Sequence, residues 1–478
     1  TNHKVRRKNM ATAGTAPTEL GDKRIRDLLM QYAVPAIIAM TASSLYNMVD
    51  SIYIGHIKDV GSYAISGLAV TFPLMNLATA LGTLVGVGAA TILSMLLGQK
   101  NYPVANKVLL NEVMLNVIIG ALFSAVTLVF LDPILMFFGA SQNTLPFARD
   151  YMVIILLGNV ITHLYFGLNN MIRASGNPKL AMALTIFTVV SNTIMDPIFI
   201  FVLDMGIRGA AIATVLCQLL ALVYTMKYFF NQKNYLHLPK HIRDYRLEWR
   251  IAKDSLSIGM GPFLMNSAAC IVTLFINQQL LKYGGDLAIG AYGIVNRISF
   301  FFIMINMGFN QGMQPIAGYN FGARKYTRVK RVFSLTVVCA TIISCIGFLV
   351  SEVIPDIAVS LFTNDPELKE LADKGLRLIN LAFPLVGFQM VSTNFFQSLG
   401  MVHKSILLSL SRQLLFLVPL IYFMPLAFGH KGVWMSFPIA DSISIILTTI
   451  LLLALFRKFR MLKDGDDPSI LGSKIKQA

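Results

Sequence analysis

Apolar residues gather into twelve long runs along this chain, separated by stretches that are polar or mixed. The runs cover roughly 28–54, 62–88, 108–131, 150–171, 180–203, 207–228, 255–280, 287–313, 332–353, 378–399, 404–426 and 432–456. Each is long enough to cross about 30 Å of hydrocarbon as a helix rising 1.5 Å per residue. Most of the interruptions are short; the long ones are 229–254 and 354–377. Prolines fall inside the runs at Pro35, Pro73, Pro197, Pro262, Pro384, Pro419 and Pro438. Each removes a backbone donor and bends its helix. Membrane spans tolerate this where neighbours or water satisfy the freed carbonyl.

Composition agrees with the pattern. The chain is 55% hydrophobic and 13% charged, whereas soluble domains carry about 25% charged residues. Mean hydropathy is +0.64, that of an integral membrane protein. The net charge of +16 comes from short basic runs between apolar segments and at the two ends. That distribution argues against a nucleic-acid-binding face. When Lys and Arg are assigned to the termini and alternate loops, one side holds 30 of the 40 and the other 8, with Arg297 and Arg412 inside spans. Positive charge stays cytoplasmic, so both termini are expected there and the span number is even. Residues 1–27 read as a cytoplasmic tail: Lys4, Arg6, Arg7 and Lys8, then an Ala/Thr/Gly/Pro stretch. The first residue is not Met, which reads as a trimmed start. Four cysteines (Cys217, Cys270, Cys339 and Cys345) lie in apolar segments without metal-ligand spacing, so neither a metal site nor a disulfide is expected. The basic loop 229–254 holds Lys233, Lys240, Arg243, Arg246, Arg250 and Lys253 beside Leu236, Leu238, Leu247 and Trp249. It predicts a linker that is partly an amphipathic helix on the lipid surface.

The chain repeats itself. Gly61-x-x-Ala64-Ile65 recurs as Gly285-x-x-Ala288-Ile289. Gly98, Tyr102 and Lys107 match Gly322, Tyr326 and Arg331, and Gly176 matches Gly400, all at an offset of 224. Gly206-x-x-Gly209 matches Gly429-x-x-Gly432 at 223. Four matches in register are hard to obtain by chance. The expected fold is all-α, with twelve transmembrane helices in two pseudo-symmetric six-helix bundles. The bundles are 28–228 and 255–456, joined by 229–254, with a second tail at 457–478. A cleft between the halves follows from that arrangement.

Two acids stand inside spans of the first half: Asp50 in SLYNMVDSIYIG (44–55) and Asp196 in SNTIMDPIFI (191–200). Intramembrane ionisable groups are functional candidates by default. Span 5 runs outward to a turn near Asp204, and Thr214 follows that turn on span 6 at a depth similar to Asp196. Asn192 lies one turn below Asp196 on the same face. Span 1 also runs outward, which puts Asp50 and Asn47 in the same outer half. Spacing sets a common depth; whether the faces converge is left to the structure. Two carboxylates in a confined, low-dielectric site cannot both stay ionised cheaply. Such a site takes up a proton, or a Na⁺ whose shell amide and hydroxyl oxygens complete, and few extra oxygens favour the proton. The plainer reading is that Asp50 and Asp196 brace helix contacts without titrating, and that Thr214 bonds its own helix.

The second half carries Arg297, Arg412 and Asp441. Arg412 and Asp441 fall on antiparallel spans at different nominal depths, so an ion pair between them needs the full reach of the arginine, and a structural role is at least as expected as a functional one. Candidates to line the cleft are Asn47, Met260, Asn277, Gln278, Met304, Gln311 and Gln314, because amides and soft or aromatic walls accept flat organic cations. Met and Phe also fill ordinary packing positions.

The segments YNMVDSIYIG (46–55), IRASGNPK (172–179), SNTIMDPIFI (191–200), GIRGAAIAT (206–214), GIVNRI (293–298) and QGMQPIAGYNFGARKY (311–326) together resemble the multidrug and toxic compound extrusion (MATE) family, in its MepA-like branch near the DinF-like members. The resemblance covers all twelve spans. It implies an antiporter in a bacterial cytoplasmic membrane that expels cationic lipophilic compounds in exchange for H⁺ or Na⁺ by alternating access, as a monomer and without a cofactor. It places the cation site of the DinF-like branch at Asp50, Asn192, Asp196 and Thr214. The NorM-like branch has acids in spans 7 and 10, where this chain offers Asn277, Gln278 and Asn394; the N-terminal half is therefore the expected coupling site. The competing reading is a flippase for a lipid-linked precursor, which would call for several basic groups in the cleft. An enzyme is not expected, for lack of an HExxH or a nucleophile with a positioned base. A two-lobed repeat also lacks the ring of subunits that builds a channel filter.

Overall fold

The structure, a computed structural model, describes residues 18–362 and 364–472, without the side chains of Met48, Ser51, Ser62, Ile65, Ser66 and Asp286. The tail sequence up to residue 17 lies outside the described residues. Ten helices are long and apolar enough to cross a membrane, and two further spans are bent pairs, so twelve spans are present among the described residues. In chain order they are α1 (Ile25–Gly55), α2 (Gly61–Gly98), α3 (Tyr102–Val129), α4a (Leu145–Leu157) with α4b (Asn159–Ala174), α5 (Pro178–Val202), α6 (Ile207–Phe230), α7 (Trp249–Gly285), α8 (Leu287–Gly322), α9 (Tyr326–Val353), α10a (Pro366–Ile379) with α10b (Phe383–Ser398), α11 (Val402–Phe428) and α12 (His430–Arg460). No strand occurs among the described residues.

Two refinements concern boundaries. Helix α7 begins at Trp249 rather than 255, and α7 meets α8 at Gly285, whose φ of 69° and ψ of −167° are open to a residue without Cβ. The fourth and tenth spans are each broken, with bends of 55° and 54°.

Backbone geometry repeats along with the sequence. Gly206 and Gly429 precede α6 and α12 with φ/ψ of 60°/−138° and 64°/−142°. Lys100 and Arg324, also 224 apart, both take φ of 58° in the turns after α2 and α8. Short helices at Leu131–Phe137 and Pro355–Ser360 follow α3 and α9 at the same offset.

The chain forms two compact units, one of residues 1–23 with 41–259 and one of 24–40 with 260–478. The first half of α1 thus belongs to the second unit, and the first turns of α7 belong to the first. Glycine makes both placements. A Cβ on Gly88 of α2 would lie 1.9 Å from the Ser255 carbonyl oxygen, and one on Gly312 of α8 would lie 2.7 Å from Ala33 Cα. Small residues let membrane helices approach closely, and dispersion then holds them where water supplies no hydrophobic drive.

The linker departs from expectation. Residues 231–248 form no amphipathic helix; beyond a 3₁₀ turn at Ile242–Asp244 they are irregular. They are tied to the foot of α3. His237 N and Glu248 N donate to Asn106 Oδ1 (2.8 Å) and Asn111 Oδ1 (2.9 Å), Lys107 pairs with Glu248 (3.2 Å), and the Tyr235 hydroxyl donates to Ser175 O. Polar partners on the protein satisfy the backbone that a lipid-surface helix would have satisfied internally. The second unit ends alike: the segment after α12 docks on the start of α9, with Tyr326 donating to Asp466 O (2.7 Å) and Thr327 N to Asp464 Oδ1 (3.0 Å).

Candidate functional site

The two acids of the first unit meet. Asp50 sits on the last two turns of α1 and is 6% exposed; Asp196 sits near the C-terminal end of α5 and is fully buried. Their carboxyls face one another at hydrogen-bonding range. Immediately after Asp196, Pro197 brings in no amide donor, and residues Ile198–Val202 wind as a π turn. Such wide turns collect at functional sites, because they re-aim side chains at a local cost in helix regularity.

Asn192 organises the pair. With its Nδ2 toward the acid, its amide donates to both Asp196 oxygens at 2.7 and 2.9 Å, and its Oδ1 faces the hydroxyls of Tyr46 (2.8 Å) and Thr214 (3.1 Å). The reverse orientation would set amide oxygen against carboxylate. Tyr46 Oη and Thr214 Oγ1 are 3.0 Å apart, and Thr214 Oγ1 is also 3.0 Å from Ala210 O. The spacing argument thus placed Asp50, Asn192, Asp196 and Thr214 at one depth, and the fold brings them to one place on α1, α5 and α6. Around them packs an apolar cluster that includes Ile54, Tyr151, Met152, Ile200, Ile207 and Ala210. Tyr151, on α4a, lies near enough to interact with both carboxyls.

Asp50 Oδ1 is buried and meets no hydrogen-bond donor among the described residues. Two ionised carboxylates at this range would repel; one proton between them turns the same contact into a hydrogen bond. By donor count, the Asn192 amide supplies Asp196, while Asp50 Oδ1 is left without a donor.

The remaining candidates are dispersed. Asn47 is exposed in the first unit. In the second unit Met260 and Gln278 are exposed, while Asn277, Met304, Gln311 and Gln314 are half-buried. Arg297 is exposed on α8. Arg412 and Asp441 do form an ion pair, Nε to Oδ1 at 2.5 Å, with Asp441 buried and Arg412 on a π segment, Ser411–Leu417. The arginine's length closes the nominal difference in depth.

Several polar groups escaped the sequence reading. Tyr46 lies within a quoted segment, yet its role depends on a contact 146 residues away. Glu112 is 1% exposed in α3, and His163 is 1% exposed in α4b. Arg173, counted above with a loop, is 9% exposed at the end of α4b and donates to Asn170 Oδ1 (3.1 Å) and Asn169 Oδ1 (3.4 Å). The signal for Glu112 was available: an acid inside an apolar run, followed one turn later by Asn116.

Comparison with known proteins fits this architecture. The MatE family profile matches residues 35–198 and 258–423, one block in each half. The multidrug export protein MepA of Staphylococcus haemolyticus (strain JCSC1435) is 29% identical over 428 residues, covering 89% of this chain and 93% of that protein. MepA of Staphylococcus aureus (strain MSSA476) is 29% identical over 423 residues, covering 88% and 92%. Among solved structures, the MATE multidrug transporter DinF-BH in complex with R6G superposes with a TM-score of 0.85 at 36% identity, over 94% of this chain and all of that one. An outward-facing MATE family transporter of the MOP superfamily superposes at 0.86 over the same shares, and at 22% identity it speaks for the fold alone. With both halves matched by the profile and the twelve spans in place, the chain belongs to the MatE family of membrane transporters and is not an enzyme.

Proposed function

We propose that this chain is a multidrug exporter that exchanges a cationic lipophilic compound for protons by alternating access, coupled through Asp50 and Asp196. One observation carries the proposal: two buried carboxyls at hydrogen-bonding range, one of them already held by an amide. Asp196 accepts from Asn192 on both oxygens and is the acceptor of the pair; Asp50 carries the shared proton. Loss of that proton sets two negative charges side by side in a low-dielectric site, and their repulsion drives α1 away from α5. The Pro197 bend and the π turn give α5 room to yield. Moving one charge inward across the membrane releases about 2.3 kcal/mol per 100 mV, enough to support a substantial gradient of exported compound.

The oxygen inventory favours H⁺ over Na⁺ as the coupling ion. Asn192 turns its nitrogen to the acids, so a cation between them would find carboxylate oxygens without the amide oxygen. The relatives named for multidrug export, and the R6G bound by DinF-BH, support a flat organic cation as the exported class. A lipid-linked anion would call for several free basic groups, and of the two intramembrane arginines Arg412 is already paired with Asp441. The charge bias between alternate loops supports cytoplasmic termini in a bacterial inner membrane, and each chain carries a whole acid site, which supports a functional monomer.

The test is R6G efflux from proteoliposomes under separately imposed pH and Na⁺ gradients, with wild type, Asp50→Asn and Asp196→Asn. A pH gradient alone should drive wild-type efflux, and each variant should lose at least about tenfold, equivalent to roughly 1.4 kcal/mol. Unchanged gradient-driven efflux in both variants, or drive by Na⁺ alone, would overturn the proposal.

A further inference from the structure

A third buried acid, Glu112, lies in the first unit, where α3 meets α4b. Glu112 Oε1 accepts from Asn116 Nδ2, one turn further along α3. Its other oxygen, Oε2, is buried without a donor, and so is Asn116 Oδ1. Further along the seam, opposite Gly120 of α3, His163 of α4b places Nε2 2.9 Å from the Ala78 carbonyl oxygen. A carbonyl only accepts, so Nε2 carries the ring proton and Nδ1 of the neutral ring is a bare acceptor. That atom too is buried with no partner, as is the Ser124 hydroxyl oxygen three turns along α3 from Glu112. Gly120, between Asn116 and Ser124 on the same stripe, gives its carbonyl to Asn159 Nδ2 (3.2 Å).

The seam is built to seat the acid. A Cβ on Gly167 would lie 1.7 Å from Glu112 Oε1 and 2.4 Å from Asn116 Nδ2, so this position of α4b is open only to glycine. One on Gly120 would lie 3.3 Å from His163 Nδ1. Acceptors outnumber donors all along this line, whereas buried polar groups in proteins are as a rule satisfied. What the line lacks is hydrogen, not oxygen.

The surroundings supply little compensating charge. The first turns of α7 pack on Leu115 through Ala252 and Leu256, and there Arg250 and Lys253 are exposed and Asp254 is half-buried. From α2, residues 67–98 bring no titratable side chain. From α4b come His163 and, nearer the cytoplasmic end, Arg173, which is engaged by Asn169 and Asn170. Lys107 at the foot of α3 is paired with Glu248. Beyond the other end, Arg149 pairs with Asp132 and Arg208 with Asp150, both at exposed positions; Tyr151 of α4a lies beside the acid pair instead. Among the described residues, no cation stands at ion-pair distance from Glu112.

We propose that Glu112 is a second proton-binding site of this transporter, with His163 Nδ1 as a further buried base on the α3–α4b seam. Its place in the cycle rests on the proton-exchange reading of the Asp50–Asp196 pair; its occupancy by a proton does not. Glu112 binds and releases H⁺ as the medium changes; the bare Oε2 and His163 Nδ1 are the basic atoms that can take the proton, and Asn116 Oδ1 can only accept a hydrogen bond.

Infrared difference spectroscopy on the purified full chain in detergent, between about pH 5 and pH 9, tests this directly. In wild type a protonated-carboxyl band should fade as pH rises, and it should shift when the glutamates alone are ¹³C-labelled. Of the other five glutamates, Glu19, Glu248, Glu367 and Glu370 are exposed, whereas Glu352 is half-buried with Oε1 enclosed and without a donor; a band fading above about pH 6 that persists in Glu352→Gln therefore belongs to Glu112. Glu112→Gln should remove that band and take up about one proton fewer per chain over the range, while the Asp50→Asn/Asp196→Asn double variant should keep it. A labelled band constant with pH, no labelled band at all, or a band that survives Glu112→Gln would overturn the proposal. The labelled Glu352→Gln chain keeps the assignment even where Glu112→Gln fails to fold. Loss of coupling in the aspartate variants with a silent Glu112 would leave the first reading intact and remove this one; the converse result would do the reverse.

Discussion

Tyr46 shows how a residue without charge can govern one that has it. Its hydroxyl, with that of Thr214, occupies the oxygen side of the Asn192 amide and so keeps the nitrogen side on Asp196. Replacing Tyr46 by Phe should lower proton-driven efflux about fivefold, on the order of the 1 kcal/mol of one hydrogen bond. Asn192→Leu should cost more, about 1.5–3 kcal/mol, because the lost bond runs to a charged group. The two effects should fall short of additive in the double variant, since both act on one amide; transport by the singles and the double checks this. In the second unit the Arg412–Asp441 pair makes a separate prediction. Arg412→Met leaves a buried carboxylate unpaired and should destabilise that unit by about 3–5 kcal/mol, and Asp441→Asn in the same chain should restore most of it. Thermal unfolding in detergent reads both.

Helices in this protein are placed by glycine as much as by apolar bulk. Gly88 and Gly312 lie 224 residues apart and admit α7 and α1 against α2 and α8, respectively. Gly88→Ala and Gly312→Ala should each destabilise the fold by about 1–3 kcal/mol through overpacking against backbone, by similar amounts, as seen in thermal melts. The same equivalence appears in the paired bends of α4 and α10 and in the two docked segments, the linker on α3 and the C-terminal stretch on α9. Asn106→Ala with Asn111→Ala removes the side-chain ties of the linker. Limited proteolysis should then cut within 231–248 several times faster than in wild type, with the flanking helices unchanged. The composition of this linker, basic with scattered Leu and Trp, is that of an amphipathic surface helix; its docking depends on two asparagines more than 120 positions away, which no local pattern reveals.

At the scale of the whole molecule, the bias of Lys and Arg across thirteen segments predicts the orientation of every span at once. The expectation is that single cysteines introduced near residues 20 and 472, in a chain whose native cysteines are replaced by serine, react with a membrane-impermeant maleimide only from the cytoplasmic side. Labelling of either from outside would reverse the orientation of the acid pair and with it the direction of proton flow. The repeat makes two units of like design, yet the acid pair belongs to the first and the Arg–Asp pair to the second. Under the proposed coupling through the first unit alone, the other unit would be free to vary its polar groups for the compounds carried.

Length, hydropathy and the 224-residue offset were enough to establish the all-helical membrane fold, the twelve spans and the internal duplication, because lipid demands long apolar helices and a duplicated design keeps its glycines where turns and close approaches require them. Antiparallel spans read against one another also gave the shared depth of Asp50, Asn192, Asp196 and Thr214, since the rise per residue is constant. Which face each helix turns to its neighbours is a matter of packing, and there the tertiary structure decided. It joined the two carboxyls, aimed the Asn192 amide at Asp196 through Tyr46, closed the Arg412–Asp441 pair across a π segment, docked the linker on α3, and gathered Glu112, Asn116 and His163 along one seam.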